Sequence, residues 1–257
     1  MILFAIGDVV DKAGCDFLRQ KLPAFKKFKG VDICVANGEN SAAGNGITPE
    51  SAQHLINSGV DVITTGNHVY RRKEIYDYLD ENADIIIRPG NFHAGNPGVA
   101  YTVVDKGRYR AAFINISGNA FMDNAENAFT CINKLLEATK DIKIRVVDFH
   151  AETTGEKRAM GFYLDGKVSV LYGTHTHVQT ADEQILPEST GYITDLGMSG
   201  PIQSVLGVKP EIIIKKLSTG MPVLFSAATG ACRIEGCLFE IDEKTGKCIS
   251  VERVRLE

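Results

Sequence analysis

An α/β fold with largely buried strands is predicted for these 257 residues by three observations. First, short apolar runs recur along the chain: ILFAI, DICVA, DVITT, DIIIRP, AAFINI, IRVVDF and SVLYG, each five or six residues long. Their near-continuous apolar character is that of strands covered on both faces rather than on one. Second, the stretches between them carry helix punctuation. Third, hydrophobic residues are 44% and charged residues 23% of the chain, ordinary globular usage that excludes a disordered, collagenous or coiled-coil protein.

Taken in order, MILFAIGD opens the chain with no Lys or Arg ahead of its apolar run, and Gly7 and Asp8 interrupt it at once. It reads as a buried first strand, too short for a signal peptide or a membrane span. A helix is expected near 14–28. Thr48 followed by Pro49 opens another, which runs to about Ser58 before Gly59 stops it. Further helices are expected near 72–82, 124–140 and 208–217, the last opened by Pro210. From Leu224 the pattern changes to paired strands around Gly236 with a turn at KTGK, so the chain should end in antiparallel structure. No repeat, linker or low-complexity tract interrupts it, and residues 1–257 read as a single domain. The six cysteines, at 15, 34, 131, 232, 237 and 248, form no CxxC pair and sit mostly in apolar runs. They read as reduced core thiols of a cytoplasmic protein. The formal charge of -4 supplies no basic field, so no stable nucleic-acid partner is expected.

The residues that end the strands are the informative feature. ILFAIG ends at Asp8, DICVANG at Glu39 and Asn40, DVITTG at Asn67 and His68, IRVVDF at His150, and SVLYGT at His175 and His177. The carboxyl ends of strands line the ligand crevice of open α/β sheets, so tips far apart in sequence can converge. Singly, Asp8 would be a helix cap and Asn40 or Asn67 a turn residue. Jointly, chance is a poor account, because four of the six histidines fall at these tips. His175 and His177 put both rings on one side if the segment stays extended, and so can serve one ion or two adjacent ones. Imidazole, carboxylate and amide without thiolate point to Mn, Fe, Zn or Mg in a catalytic role. Two divalent ions against the charges of Asp8 and Glu39 leave the centre cationic, which suits an anionic phosphoryl group.

Other motifs carry less. NGENSAAGNGI lacks the GK[ST] ending of a phosphate-binding P-loop. No GxSxG elbow occurs, and Ser199 in GMSGP has no His and acid partners in sequence. Arg71, Arg72 and Lys73 read as a solvated first helical turn, His54 as an ordinary helix residue, and His93 as a loop residue bordering the site.

GDVV, NGEN, GNH, DFHAE, GTHTHVQTAD and ITDLGMSGP resemble the YmdB-type branch of the calcineurin-like metallophosphoesterases, a bacterial cytoplasmic group. The resemblance implies a metallophosphoesterase-type four-layer α/β sandwich, two mixed β-sheets flanked by helices, with a binuclear metal centre at its edge. By that resemblance one metal falls to Asp8, Glu39, Asn40 and His177, and the other to Glu39, Asn67, His150 and His175, with Glu39 bridging. His68 becomes the proton donor or phosphate contact. Two divalent ions, Fe or Mn before Mg or Zn, and hydrolysis of small phosphodiesters such as 2',3'- or 3',5'-cyclic nucleotides are implied, as is a dimer or tetramer. The chain departs from the wider superfamily at Val10, where DxH has its histidine, and at Glu39 and Ala42, where GDxxD has its acids. Val69 and Tyr70 stand where this branch has Thr and Trp, and Asp11 replaces a Gly. These departures bear on substrate preference rather than on the ligand set. Two competing readings are a metal-dependent amidohydrolase, whose HxH closes an early strand instead, and a regulatory protein that binds a nucleotide or partner with little hydrolysis.

Overall fold

The computed structural model describes residues 1–123 and 125–257. One sheet contains β1 (Ile2–Val9), β2 (Ile33–Asn37), β3 (Val62–Thr64), β10 (Met198–Pro201), β11 (Cys232–Ile241) and β12 (Cys248–Leu256), in the order β12-β11-β10-β1-β2-β3. The other contains β4 (Tyr101–Asp105), β5 (Arg110–Ser117), β6 (Ile144–His150), β7 (Val170–Thr174), β8 (Gln184–Ile185) and β9 (Gly191–Ile193), in the order β4-β5-β6-β7-β9-β8. Both are mixed. β1 pairs parallel with β2 and β10 but antiparallel with β11, and parallel β5-β6-β7-β9 is flanked by antiparallel β4 and β8.

Side-chain alternation explains why the strands read as continuous apolar runs. On β1, Leu3 and Ala5 enter a core between the two sheets, while Phe4 and Ile6 enter a second core outside the first sheet. On β5, Ala111 and Phe113 join the core between the sheets, and Ile114 and Ile116 face a third core outside the second sheet. Helices α1 (Asp11–Lys29), α2 (Pro49–Asn57) and α3 (Ile75–Glu81) cover the first outer face through Leu18, Leu55 and Leu79. α4 (Ala128–Ala138) and α5 (Thr154–Leu164) cover the second through Ile132 and Met160. The result is the expected layering of helices, sheet, sheet and helices. α6 (Pro210–Thr219) stands apart, with none of its residues buried.

Thr48 caps α2 as expected, accepting from the Ser51 backbone N–H, with the Ser51 hydroxyl returning the bond. The expected 124–140 helix begins at Ala128, capped by Asn127; Asn124 lies outside the described residues. DIIIRP differs from expectation: Ile86 and Ile87 make only isolated bridges to Ile63 and Val99. α5 was not legible, because its sequence contains Gly155 and Gly161. Gly161 is needed there: a Cβ would lie 2.6 Å from the Tyr192 ring, so the helix packs against β9 only without one.

The inner faces change character toward the carboxyl ends. Asn37, Thr64, Asp148 and Thr174 follow the apolar residues of β2, β3, β6 and β7, all buried. On β1 the alternation slips between Ile6 and Asp8, where the register against β2 jumps from Ile6↔Ala36 to Asp8↔Asn37. Gly7 is the extra residue of this bulge, and it turns Asp8 to the inner face alongside Asn37.

Candidate metal centre

Five strand tips meet at one edge of the sandwich and bring together all eight residues singled out in the sequence. Among the described residues, Glu39, His150 and His175 present ligating atoms within 4.8 Å of one another. Around His150 Nε2 lie Asn67 Oδ1 at 3.0 Å, Glu39 Oε1 at 3.1 Å and His175 Nδ1 at 3.1 Å. The other side of His175 meets Glu152, Nε2 to Oε2 3.0 Å. A second group surrounds Asp8, whose Oδ1 is 3.5 Å from His177 Nε2. Asn40 Nδ2 sits 3.3–3.4 Å from Asp8 Oδ1, Glu39 Oε1 and His177 Nε2. Glu39 thus touches both groups.

The His175–His177 segment is not extended as expected. Both residues have positive φ, 98° and 62°, and their rings diverge to the two groups. Asp195 holds this turn, accepting from the Thr176 backbone N–H and hydroxyl at 3.2 and 2.8 Å. Its charge is met by Lys157 Nζ at 2.6 Å, with both side chains only 1% exposed. Leu206 O lies 3.3 Å from His177 Nδ1.

His68 stands against both groups without joining either. Its backbone N–H donates to Glu39 Oε2 at 2.8 Å, and its Nδ1 is 3.0 Å from Asn40 Oδ1. Asn40 and Glu39 are thus the side chains that meet His68. Arg72 does not reach the site; it bonds the carbonyls of Ala43 and Asn45 and fastens the 41–46 loop. His54 and His93 also lie elsewhere, on α2 near Asp16 and in a loop beside Gly95.

Behind the tips lies a polar relay that the sequence reading passed over. Thr174 Oγ1 is 2.8 Å from His150 Nδ1 and donates to Asp148 Oδ1 at 2.7 Å. Asp148 also accepts from Thr64 Oγ1 at 2.5 Å and Asn37 Nδ2 at 3.2 Å. With the Thr174 hydroxyl committed to a carboxylate, its oxygen accepts from His150 Nδ1–H, so that Nε2 is the atom that offers its lone pair to the cluster when a cation displaces its proton. The available signal was Asp148 itself, a charge inside the apolar run IRVVDF.

The electrostatics follow from burial and crowding. Burial raises the Asp8 carboxyl, but His177 and then His150 outweigh it, so the net shift is far below the usual carboxylate range. Burial likewise opposes Glu39, whose value is nevertheless lowered by His150 and His68. Burial disfavours a charged His150, yet Glu39 and Asp8 raise its pKa to about 9. Burial lowers His68 and His175 and raises Asp148 to about 6.

These residues fit a divalent cation. Around His150, four lone-pair-bearing atoms converge, and one proton cannot bridge them all; a cation can. Around Asp8, Asn40 reaches its three acceptors through Nδ2, and a half-turn of the amide exchanges nitrogen and oxygen without moving another atom.

The fold is a metallophosphoesterase-type sandwich, and the chain's relatives make it a phosphoric diester hydrolase. A putative 5'-nucleotidase from Staphylococcus aureus shares the fold at 14% identity and TM-score 0.62, covering 99% of this chain and 54% of that one. The chain belongs to the YmdB-like protein family, whose sequence model matches residues 4–254. A Bacillus subtilis (strain 168) relative named 2',3'-cyclic-nucleotide 2'-phosphodiesterase is 43% identical over 254 residues, 98% of this chain and 96% of that protein. The crystal structure of a Mycoplasma pneumoniae protein described as a novel phosphatase superposes with TM-score 0.94 at 31% identity, covering 100% of this chain and 93% of that one. The family implies divalent metal, and the Glu39, His150 and His175 cluster is its candidate site here. No helix among the described residues is long and apolar enough to cross a membrane.

Proposed function

We propose that this chain is a binuclear metal-dependent phosphodiesterase that opens nucleoside 2',3'-cyclic phosphates, and that residues 1–257 act as a single domain around a core shared by both sheets. The observation that carries it is Glu39, whose Oε1 lies 3.1 Å from His150 Nε2 and 3.3 Å from Asn40 Nδ2, between the two groups. In this reading Asp8, Asn40 and His177 hold one ion, Asn67, His150 and His175 the other, and Glu39 both. The all-nitrogen-and-oxygen donor set favours Fe or Mn over thiophilic alternatives. When bound, two such ions supply positive charge for the phosphoryl oxygens and bring the pKa of a water toward neutrality.

The protein's own contribution is orientation and one proton. Asp148 and Thr174 hold the His150 ring, and Asp195 and Lys157 hold the turn that carries His175 and His177. Glu39 fixes His68 at the mouth of the site, accepting from its backbone N–H and standing 3.4 Å from its Nδ1, and the protonated ring donates to the departing ribose oxygen. The choice of a cyclic nucleotide is supported by the name of the Bacillus subtilis relative. The free cysteines support a reducing, cytoplasmic setting. A homo-oligomer is supported by α6 and its continuation, where Ile214, Leu217, Met221 and Leu224 are exposed; light scattering gives its size.

The test is metal analysis of protein purified without chelator, followed by a panel of 2',3'-cyclic, 3',5'-cyclic and linear diesters with added Mn. Two ions per chain and 2',3'-cyclic turnover that chelator abolishes support the proposal. An intact two-metal centre with no turnover across the panel refutes it in favour of the regulatory reading, and 3',5'-cyclic preference overturns the ring assignment.

A further inference from the structure

One cavity of about 460 Å³ opens onto the metal-ligand cluster, far more space than a phosphodiester group needs and within the size range of small-molecule sites. Its lining is of two kinds: Glu39, Asn40, His68, His175 and His177 belong to the cluster, while Val10, Leu206, Val208, Ile213 and Phe225 are apolar. Phe225 remains 56% exposed, and Lys216 Nζ stands 4.7 Å from its ring centroid. A large aromatic surface left open to water inside a cavity with a charged floor calls for an apolar occupant whose other end is anionic.

The apolar lining is also a built structure. Val205 and Val208 exchange two backbone bonds, Lys209 N–H donates to Ser226 O at 3.1 Å, and Ala228 N–H donates to Gly207 O at 2.8 Å. These bonds tie the segment carrying Leu206 to the segment carrying Phe225. Leu206 adopts φ 54°, and its carbonyl is the oxygen beside His177 Nδ1. The wall and a candidate metal ligand are therefore set by one loop, which fixes the distance between anything packed on the wall and anything held at the centre.

We infer that this wall is the subsite for the nucleobase of the substrate, with Phe225 the stacking residue that makes the enzyme prefer base-bearing cyclic phosphates over base-free ones. The inference rests on the phosphodiesterase reading for its substrate class. Aromatic stacking accepts every base, because each has a π-face, so the wall selects for a base more than between bases.

The experiment compares adenosine 2',3'-cyclic phosphate with glycerol 1,2-cyclic phosphate, which has the same five-membered diester and no base. Phe225→Ala should lower the ratio of their kcat/KM values about tenfold, within what base–aromatic stacking delivers, and Phe225→Trp should restore it. Metal content is measured alongside. An unchanged ratio, or equal losses on both substrates, overturns the inference. So does a change of oligomeric state in Phe225→Ala with the ratio intact, which makes the wall an interface between copies. Binding of adenosine 3'-monophosphate against glycerol 2-phosphate, by calorimetry, decides the wall separately from turnover. If the wild type hydrolyses neither cyclic ester, the phosphodiesterase reading fails, while a tenfold preference for the nucleotide that Phe225→Ala removes still upholds the wall, and no such preference overturns it.

Discussion

Asp148→Asn keeps the size of the side chain and removes the charge behind His150. Three donors meet that carboxylate: the hydroxyls of Thr64 and Thr174 and the Asn37 amide. An amide offers one oxygen, so at least one donor must face an NH2 instead. If that donor is Thr174, its hydroxyl turns toward His150 Nδ1 and forces the imidazole proton onto Nε2, the atom facing Glu39. If it is the Thr64 and Asn37 side, Asn37 loses a buried acceptor and the anion that supports the His150 ring is gone. Removing such a partner from a ligating histidine typically costs 10–100-fold in metal affinity, about 1.4–2.7 kcal/mol. Mn titration against a competing chelator at about pH 7.5, above the value of about 6 to which burial raises Asp148, measures it. Thr174→Val cuts the same relay one bond closer. Because both act through one chain of hydrogen bonds, the double variant should lose little more than the worse single one. Affinities within about twofold of wild type, or losses that add in full, would refute the relay.

Glu39→Ala should lower metal content at both positions, whereas Asn40→Ala should affect mainly one; two ions per chain in Glu39→Ala with wild-type activity would contradict the bridge. His68→Ala should keep both ions and lose about 10²–10⁴-fold on esters with poor leaving groups but less on nitrophenyl esters. The same acid role makes kcat on poor leaving groups fall as pH rises through the His68 value, which burial holds below 6.5, and a flat profile would exclude it. In metal-free protein, His150 is raised from 6.5 to about 9, so its contribution to stability is complete below 6.5 and is lost as pH rises through 9. Thermal melts of the metal-free form should therefore fall over that window and flatten when metal is added. Lys157→Met leaves the Asp195 charge buried alone and should cost about 3–5 kcal/mol by denaturant unfolding, with Asp195→Asn recovering part of it; no recovery would mean that the pair is not the cause.

The site was more legible than the frame around it. Strand tips announce themselves because a buried run that ends in Asn, Glu or His cannot be ordinary core, and all eight residues named from those tips do converge. The backbone that aims them was hidden. Nothing in GTHTHVQ says that His175 and His177 take positive φ, since that conformation is imposed from outside by Asp195, a residue remote in sequence. α5 was missed because Lys157 is fully buried by its partner and Gly161 by a ring, so neither obeys the periodicity from which helices are read. DIIIRP has the composition of a strand yet makes only bridges, because composition reports burial and not pairing. Leu206 and Phe225 carried no signal at all: an exposed apolar residue looks like any other until the cavity beside it is known.

The bulge at Gly7 makes the metal centre depend on the phase of a strand as well as on its letters. Asp8 occupies an even position, shared with Phe4 and Ile6, and reaches the inner face only because one residue is skipped in the count. Pairing Gly7 in regular register, with no residue skipped, would leave every functional residue in the chain and rotate Asp8 by half a repeat into the helix layer. Filling the skipped position with a side chain fails too, since a Cβ there would lie 2.1 Å from the Gly197 carbonyl oxygen. The centre thus depends on register and on bulk at a position that contributes no ligand. Anyone moving this centre into another sandwich must transplant a counting error along with the side chains.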